Sequence, residues 1–200
     1  MPRVSDSHKA GRQTQILDAA RACFARKGYQ LTTIRELEEQ SGMSSGAIFN
    51  YYPSKLDIFI ALAEQDTAHT AQLWSRGGLR ALLKDQGDSG GGYTASYLEV
   101  GRQLLTDNDF RARWERRGQP VIDAIHQWLS AGQHEGHIRT DIPVEHLLTY
   151  CVITLDGALL QLRLGTTQQA LATVADLFEE TLKGTTHEQT PRDSTSGQVS

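Results

Sequence analysis

Residues 33–55 gather side chains whose types and spacing suit contact with a nucleic acid. Phe49 can wedge against a thymine methyl, Asn50 can reach a phosphate or a base edge, and Tyr52 can bring a hydroxyl to a phosphate oxygen. Ser44, Ser45 and Gly46 precede them and add hydroxyl and amide donors with little bulk. Lys55 follows Ser54 at a helix start, where its ammonium and the positive helix end would face the same phosphate. A plain amphipathic helix would share this periodicity. The weight falls on the coincidence of short capped helices, a tight turn and a lysine at a helix start.

The elements that position these groups can be read from caps and breakers. Thr33 stands at an N-cap with Glu36 three residues on, the reciprocal arrangement that satisfies two orphan amides. Ile34 and Leu37 then face one core, and Gly42 ends the helix with Met43 folding back as an apolar contact. Ser44 caps a second helix over 45–51, with Ala47, Ile48 and Tyr51 inward and Ser45, Gly46, Phe49, Asn50 and Tyr52 outward. Pro53 stops it. Upstream, Ile16, Ala20, Cys23 and Phe24 predict a bracing helix over 12–27, stopped by Gly28. Residues 1–11 read as a polar, mobile arm whose Arg3 and Lys9, with Arg12 beyond it, can lie along a backbone or in a minor groove, or simply fray.

Downstream, a long helix from Ser54 to about Trp74 breaks at Gly77-Gly78 and is followed by a short helix over 79–84 and a glycine-rich connector at 87–92. Further helices are predicted over 93–105, 111–137, 143–164 and 167–182. The fold class is therefore all-α. Residues 1–53 form a three-helix helix-turn-helix DNA-binding domain, 54–184 a helical-bundle dimerisation domain, and 185–200 a disordered tail. The last two helices are too apolar for one buried face each, which predicts a homodimer.

With 38% hydrophobic and 22% charged residues the composition is that of an ordinary globular chain. The net charge of −4 conceals an asymmetry, since residues 1–56 carry eight Lys or Arg against five Asp or Glu and the remainder twelve against nineteen. The basic end holds the helix-turn-helix, a balance that fits several phosphate contacts. Neither an apolar run of membrane-spanning length nor a secretory signal is present, so a cytoplasmic protein without a membrane partner is expected. Cys23 and Cys151 sit in apolar helical patterns, as buried thiols do. The phrase Gly87-Asp88-Ser89-Gly90-Gly91 copies the nucleophile motif of chymotrypsin-like proteases, but no strand-period runs surround it to build their β-barrel. His126, His134, His137 and His146 lack the cysteine or carboxylate companions of a metal site, so no metal centre is expected.

The run ILDAARACFARKGYQLTTIRELEEQSGMSSGAIFNYYPSKLDIF resembles the DNA-binding domain of the TetR family of bacterial repressors, with Gly28-Tyr29, Thr32-Thr33 and the Tyr-aromatic-Pro-Ser-Lys phrase at 51–55 carrying the likeness. The resemblance implies a transcriptional repressor and not an enzyme, acting on a double-stranded operator, with Thr33 and Lys55 as backbone anchors and Ser44, Ser45, Gly46, Phe49 and Asn50 facing the groove. Ser45 departs from the Lys or Arg that many relatives carry, which removes a phosphate or guanine contact. The segments at 37–39, 46–49 and 139–143 resemble the actinobacterial aconitase repressors. That likeness implies a small-molecule effector in the second domain, where Tyr97, Trp114, Arg116, Trp128 and Glu179 are the pocket candidates, although aromatic residues at helical spacing serve equally as core. No cofactor is expected beyond Mg²⁺ entering with citrate, held by arginines such as Arg102, Arg116, Arg139 or Arg163 and by Glu179. Trp128 stands where that subgroup has an arginine, which turns the expectation toward an apolar or aromatic effector. The competing reading is an α-helical enzyme or metabolite-binding protein whose helix-turn-helix is only structural.

Overall fold

Side-chain caps start the helices where the sequence places them. In the computed structural model, which describes residues 6–88 and 96–184, α1 (Asp6–Leu31) leads to α2 (Ile34–Ser41), whose N-cap Thr33 accepts from the Glu36 amide at 3.3 Å. Glu36 returns the contact from the Thr33 amide at 2.9 Å. Gly42 closes α2 at φ 65°, a conformation that favours glycine, and its amide donates to the Glu38 carbonyl at 2.8 Å. Ser44 caps α3 (Ser45–Phe49) by accepting from the Ala47 amide.

The capping box yields a prediction. Thr33→Ala is expected to lower stability by about 1 kcal/mol, read as a fall in melting temperature. The Lys27 ammonium and the Thr33 amide hold the Glu36 carboxyl down at about 2. Its contribution is therefore present above the ordinary carboxylate pKa and is lost as pH falls toward about 2.

The remaining helices are α4 (Lys55–Asp88), α5 (Ser96–Thr106), α6 (Asn108–His134), α7 (Val144–Arg163) and α8 (Gln168–Lys183), and no strand occurs among the described residues. They enclose two apolar cores. The first joins Phe24 of α1, Leu37 of α2 and Ile48 of α3 to Phe59 and Leu62 of α4 and Phe110 of α6. The second joins Trp74 and Leu82 of α4 to Ile125 of α6, Cys151 of α7 and Phe178 of α8. The first core thus continues past residue 53 into the opening turns of α4, which ties the helix-turn-helix to the bundle through one continuous helix.

Two elements differ from the sequence reading, and a third matches it. Residues 6–11, expected to be a mobile arm, are helical, because a helix nucleated by the apolar stripe downstream propagates into a polar turn that lacks the periodicity revealing it. α6 runs unbroken through Pro120, which is exposed on the solvent side, and starts at the Asp107 cap, whose carboxylate accepts from the Phe110 amide at 2.9 Å. α4 kinks at Gly77-Gly78 as the glycine pair implies, with Gly78 at φ 58°. Residues 89–92 of the glycine-rich connector, and the tail at 185–200, lie outside the described residues. Cys23 and Cys151 are both buried free thiols, and burial pushes Cys151 up to about 12.

Candidate nucleic-acid interface

The short α3 presents a nearly uncharged face. Ser44, Gly46 and Asn50 are exposed, Ser45 is half-buried, and Phe49 leaves 41% of its surface in solvent, an unusual position for a phenylalanine without a partner. Thr33 is exposed at the start of α2. The Ser45 amide donates to the Glu38 carboxylate, so a side chain of α2 already occupies one amide at the α3 N-terminus.

Two candidate residues are corrected. Tyr52, expected to offer its hydroxyl to phosphate, is only 8% exposed and belongs to the first core, where burial raises its pKa. α3 ends at Phe49 and not at Tyr51, and the turn that follows swings Tyr52 inward while Tyr51 stays half-buried. Lys55 is not directed at phosphate either. Its ammonium donates to the carbonyls of Tyr29 at 2.8 Å, Thr32 at 2.8 Å and Gln30 at 3.3 Å, and lies 4.5 Å from the centre of the Tyr29 ring. The kink at Gly28, φ 80°, leaves those carbonyls at the end of α1 in need of donors, and an ammonium supplies three. Lys55 therefore fastens α4 to α1.

Several other cations of this region are paired, Lys27 with Glu36, Arg35 with Glu39 at 3.1 Å and Arg21 with Asp66 at 2.8 Å. Lys9 is exposed on α1. Arg12 donates to Gln15 at 3.0 Å, and Gln15 donates to the Ser41 carbonyl at 2.7 Å, which brings Arg12 beside the turn between α2 and α3. Behind the motif, Arg113 of α6 donates to Asp57 of α4 at 2.6 Å. Burial alone would raise the Asp57 pKa, but the Ser54 hydroxyl and Arg113 outweigh it and hold the carboxyl low. The ion pair joins α6 to the first turn of the helix that carries the DNA-facing motif.

The four pocket candidates whose side chains are described do not converge. Trp114 is packed in the first core, stacked on Phe59 with centroids 5.7 Å apart and covered by the Arg117 guanidinium at 3.7 Å. Arg116 is exposed, and the Tyr97 side chain lies outside the described residues, as do those of Arg102 and Arg163. Among the described residues, Trp128 and Glu179 share a cavity of about 490 Å³, bounded by the α4 kink, the last turn of α6 and the last turn of α8. An aromatic stripe cannot reveal which of two cores each ring enters, and Trp114 enters the first.

Sequence reasoning also missed Arg80, which grips Glu179 at 2.9 Å and also Asp176, and so ties α4 beyond its kink to α8. Gly132 was missed as well. A Cβ there would come within 2.5 Å of Ile138 Cδ1, so the glycine lets Ile138 close the cavity floor. Gly132→Ala is expected to cost about 1–3 kcal/mol through overpacking, measurable by denaturant titration. His126, His134, His137 and His146 are exposed, with His137 3.3 Å from Glu135.

Comparison with known proteins covers both halves of this arrangement. Residues 16–62 match the family described as bacterial regulatory proteins of the tetR type, a span that takes in α2, α3 and the Lys55 brace. The HTH-type transcriptional repressor Rv1474c of Mycobacterium tuberculosis is 39% identical over 185 residues, which cover 92% of this chain and 99% of that protein. The repressor AcnR of Corynebacterium diphtheriae is 37% identical over 185 residues, 92% of this chain and 97% of that one, in keeping with the aconitase-repressor likeness of the sequence. A TetR transcription regulator from Haloarcula marismortui shares the fold at 20% identity and a TM-score of 0.68, covering 86% of this chain and 98% of its own. Likeness that extends from the capped helix pair through the second core at this level of identity has one reading: the chain belongs to the TetR family of bacterial regulatory proteins, and its full-length relatives are transcriptional repressors.

Proposed function

We propose that this protein is a ligand-responsive repressor that binds a near-palindromic operator as a homodimer. The observation that carries the reading is an uncovered apolar stripe on α7 and α8, two helices of the second core. Ile153, Leu160 and Leu164 are 67%, 37% and 65% exposed, and Val174 and Leu177 are 39% and 58% exposed, at spacings that align each set along one helix face. A second copy placed on this stripe about a two-fold axis buries both sets at once and carries two α3 helices into successive major grooves. Leu159 and Phe178, the positions the sequence pattern points to for such an interface, are half-buried and buried within the protomer.

Selection of bound sequences from a random DNA pool tests the reading. A pseudo-palindrome with two half-sites, bound by a species that sediments as a dimer, is the expected result. Loss of any preference over random DNA would favour instead an α-helical enzyme or metabolite-binding protein with a purely structural helix-turn-helix. Effector response enters through α4 and α6, because both helices wall the cavity at one end and carry the Asp57–Arg113 pair at the other.

A further inference from the structure

We infer that the cavity at the α4 kink takes a flat organic cation in preference to a compact polyanion such as Mg²⁺-citrate. The inference deepens the ligand-responsive reading above and rests on it. Its first support is the direction of the backbone. α6 ends at His134 and α8 at Lys183, and the last turns of both, through Ala131, Gly132, Glu179 and Leu182, form the cavity wall. Two helix C-termini thus place their negative ends against one space, which favours a positive charge there. The α4 kink adds one helix end of each sign, and these offset.

The side chains point the same way. The cavity is lined by the carboxylates of Glu135 and Glu179, the ammonium of Lys183 and the imidazole of His137; Glu179 is shared with Arg80, and Glu135 lies 3.3 Å from His137 and carries the charge that faces the space. The guanidinium groups nearest to it are occupied: Arg80 is forked between Asp176 and Glu179, and Arg139 is forked onto Asp141 with its Nε at 2.7 Å. A tricarboxylate would have to draw one of them out of its pair. Magnesium fits no better, since it requires several oxygen ligands in octahedral geometry, and among the described residues no three His, Cys, Asp or Glu side chains lie together as a metal site. Mg²⁺-citrate is therefore a poor match to this donor set.

The flat shape follows from the aromatic wall. The Trp128 indole is half-buried, set edge-to-face on Trp74 with centroids 6.1 Å apart, and its ring edge lies where a Cβ on Gly78 would be 3.6 Å away. Phe178 forms the opposite apolar surface with Leu79 and Leu182. A cationic ring between them gains both stacking on the indole and attraction to its face. The cavity volume, about 490 Å³, is that of a site for one small organic molecule.

N-methylacridinium and neutral acridine, the same ring system with and without the fixed charge, make the test in mildly alkaline buffer, alongside Mg²⁺-citrate. Calorimetric titration of the DNA-free protein is expected to show saturable binding of the cation about tenfold tighter than of either comparator. Trp128→Leu and Glu135→Gln should each weaken it several-fold, and Arg116→Ala, outside the cavity, should not. Glu135 is exposed, so that variant remains informative if Trp128→Leu fails to fold. Equal binding of acridine, tighter binding of Mg²⁺-citrate, or no saturable binding of the cation would each overturn the inference. Operator affinity, followed by anisotropy of labelled DNA with random DNA as the intercalation control, separates it from the broader reading. Release by Mg²⁺-citrate would sink the cation inference and leave ligand response intact. A cation that binds yet leaves operator affinity unchanged would support the site and remove ligand response from it.

Discussion

Ile153→Asp and Leu177→Asp are each expected to convert the proposed dimer to monomer and to reduce operator affinity by a factor on the order of a thousand. A two-fold interface receives every substitution twice, and a carboxylate buried there without a partner costs several kcal/mol per copy. Stable helical interfaces bury roughly 2,000 Å² or more, so the loss cannot be recovered from the rim. Because Ile153 and Leu177 are 67% and 58% exposed in the protomer, both variants should keep their helical circular dichroism. Phe178→Asp provides the contrast: with 1% exposure in the second core it should unfold the protomer itself. Sedimentation velocity at micromolar concentration decides the matter. A folded Ile153→Asp protein that remains dimeric would place the interface elsewhere.

What the sequence made legible was local chemistry. The Thr33–Glu36 box, the Gly42 stop, the Ser44 cap and the Gly77-Gly78 break each depend on residues within one turn of one another, and all stand where the pattern places them. What stayed illegible depends on distant partners. Lys55 reads as a phosphate anchor because its carbonyl acceptors lie 23 to 26 residues upstream, at a kink whose geometry no spacing rule reports. Tyr52 reads as exposed because one extra helical turn at α3 would have put it outward. Arg80 could not be paired with Glu179 from sequence, as the two are 99 residues apart. Apolar stripes on α7 and α8 pointed to Leu159 and Phe178 as interface positions, whereas Phe178 is buried in the second core, Leu159 is half-buried and the neighbouring Leu177 is exposed, because the pattern does not report which side the bundle uses.

The altered role of Lys55 gives the second large effect and divides the labour at the DNA face. Lys55→Ala removes a cation that satisfies three carbonyls at the α1 kink, and leaving them without donors is expected to cost about 2–3 kcal/mol, since hydrogen bonds to charged groups are the stronger kind. The loss should appear as a lower unfolding midpoint in denaturant. The slope of log operator affinity against log salt should be unchanged at temperatures where the variant stays folded, because no phosphate contact is lost. Arg12→Ala should behave oppositely, lowering that slope by about one contact with little change in stability. Phe49→Ala and Asn50→Ala should differ from both. They remove exposed groups that we propose read the bases, so each should erode discrimination between operator and random DNA by about 1–3 kcal/mol while leaving the salt slope alone. Thymine-to-uracil substitution in the half-site isolates the methyl contact, and its penalty should vanish in the Phe49→Ala background if that ring is the reader. A Lys55→Ala protein of unchanged stability whose salt slope falls by one would restore the lysine to the phosphate backbone and refute its role as the fastening between α1 and α4.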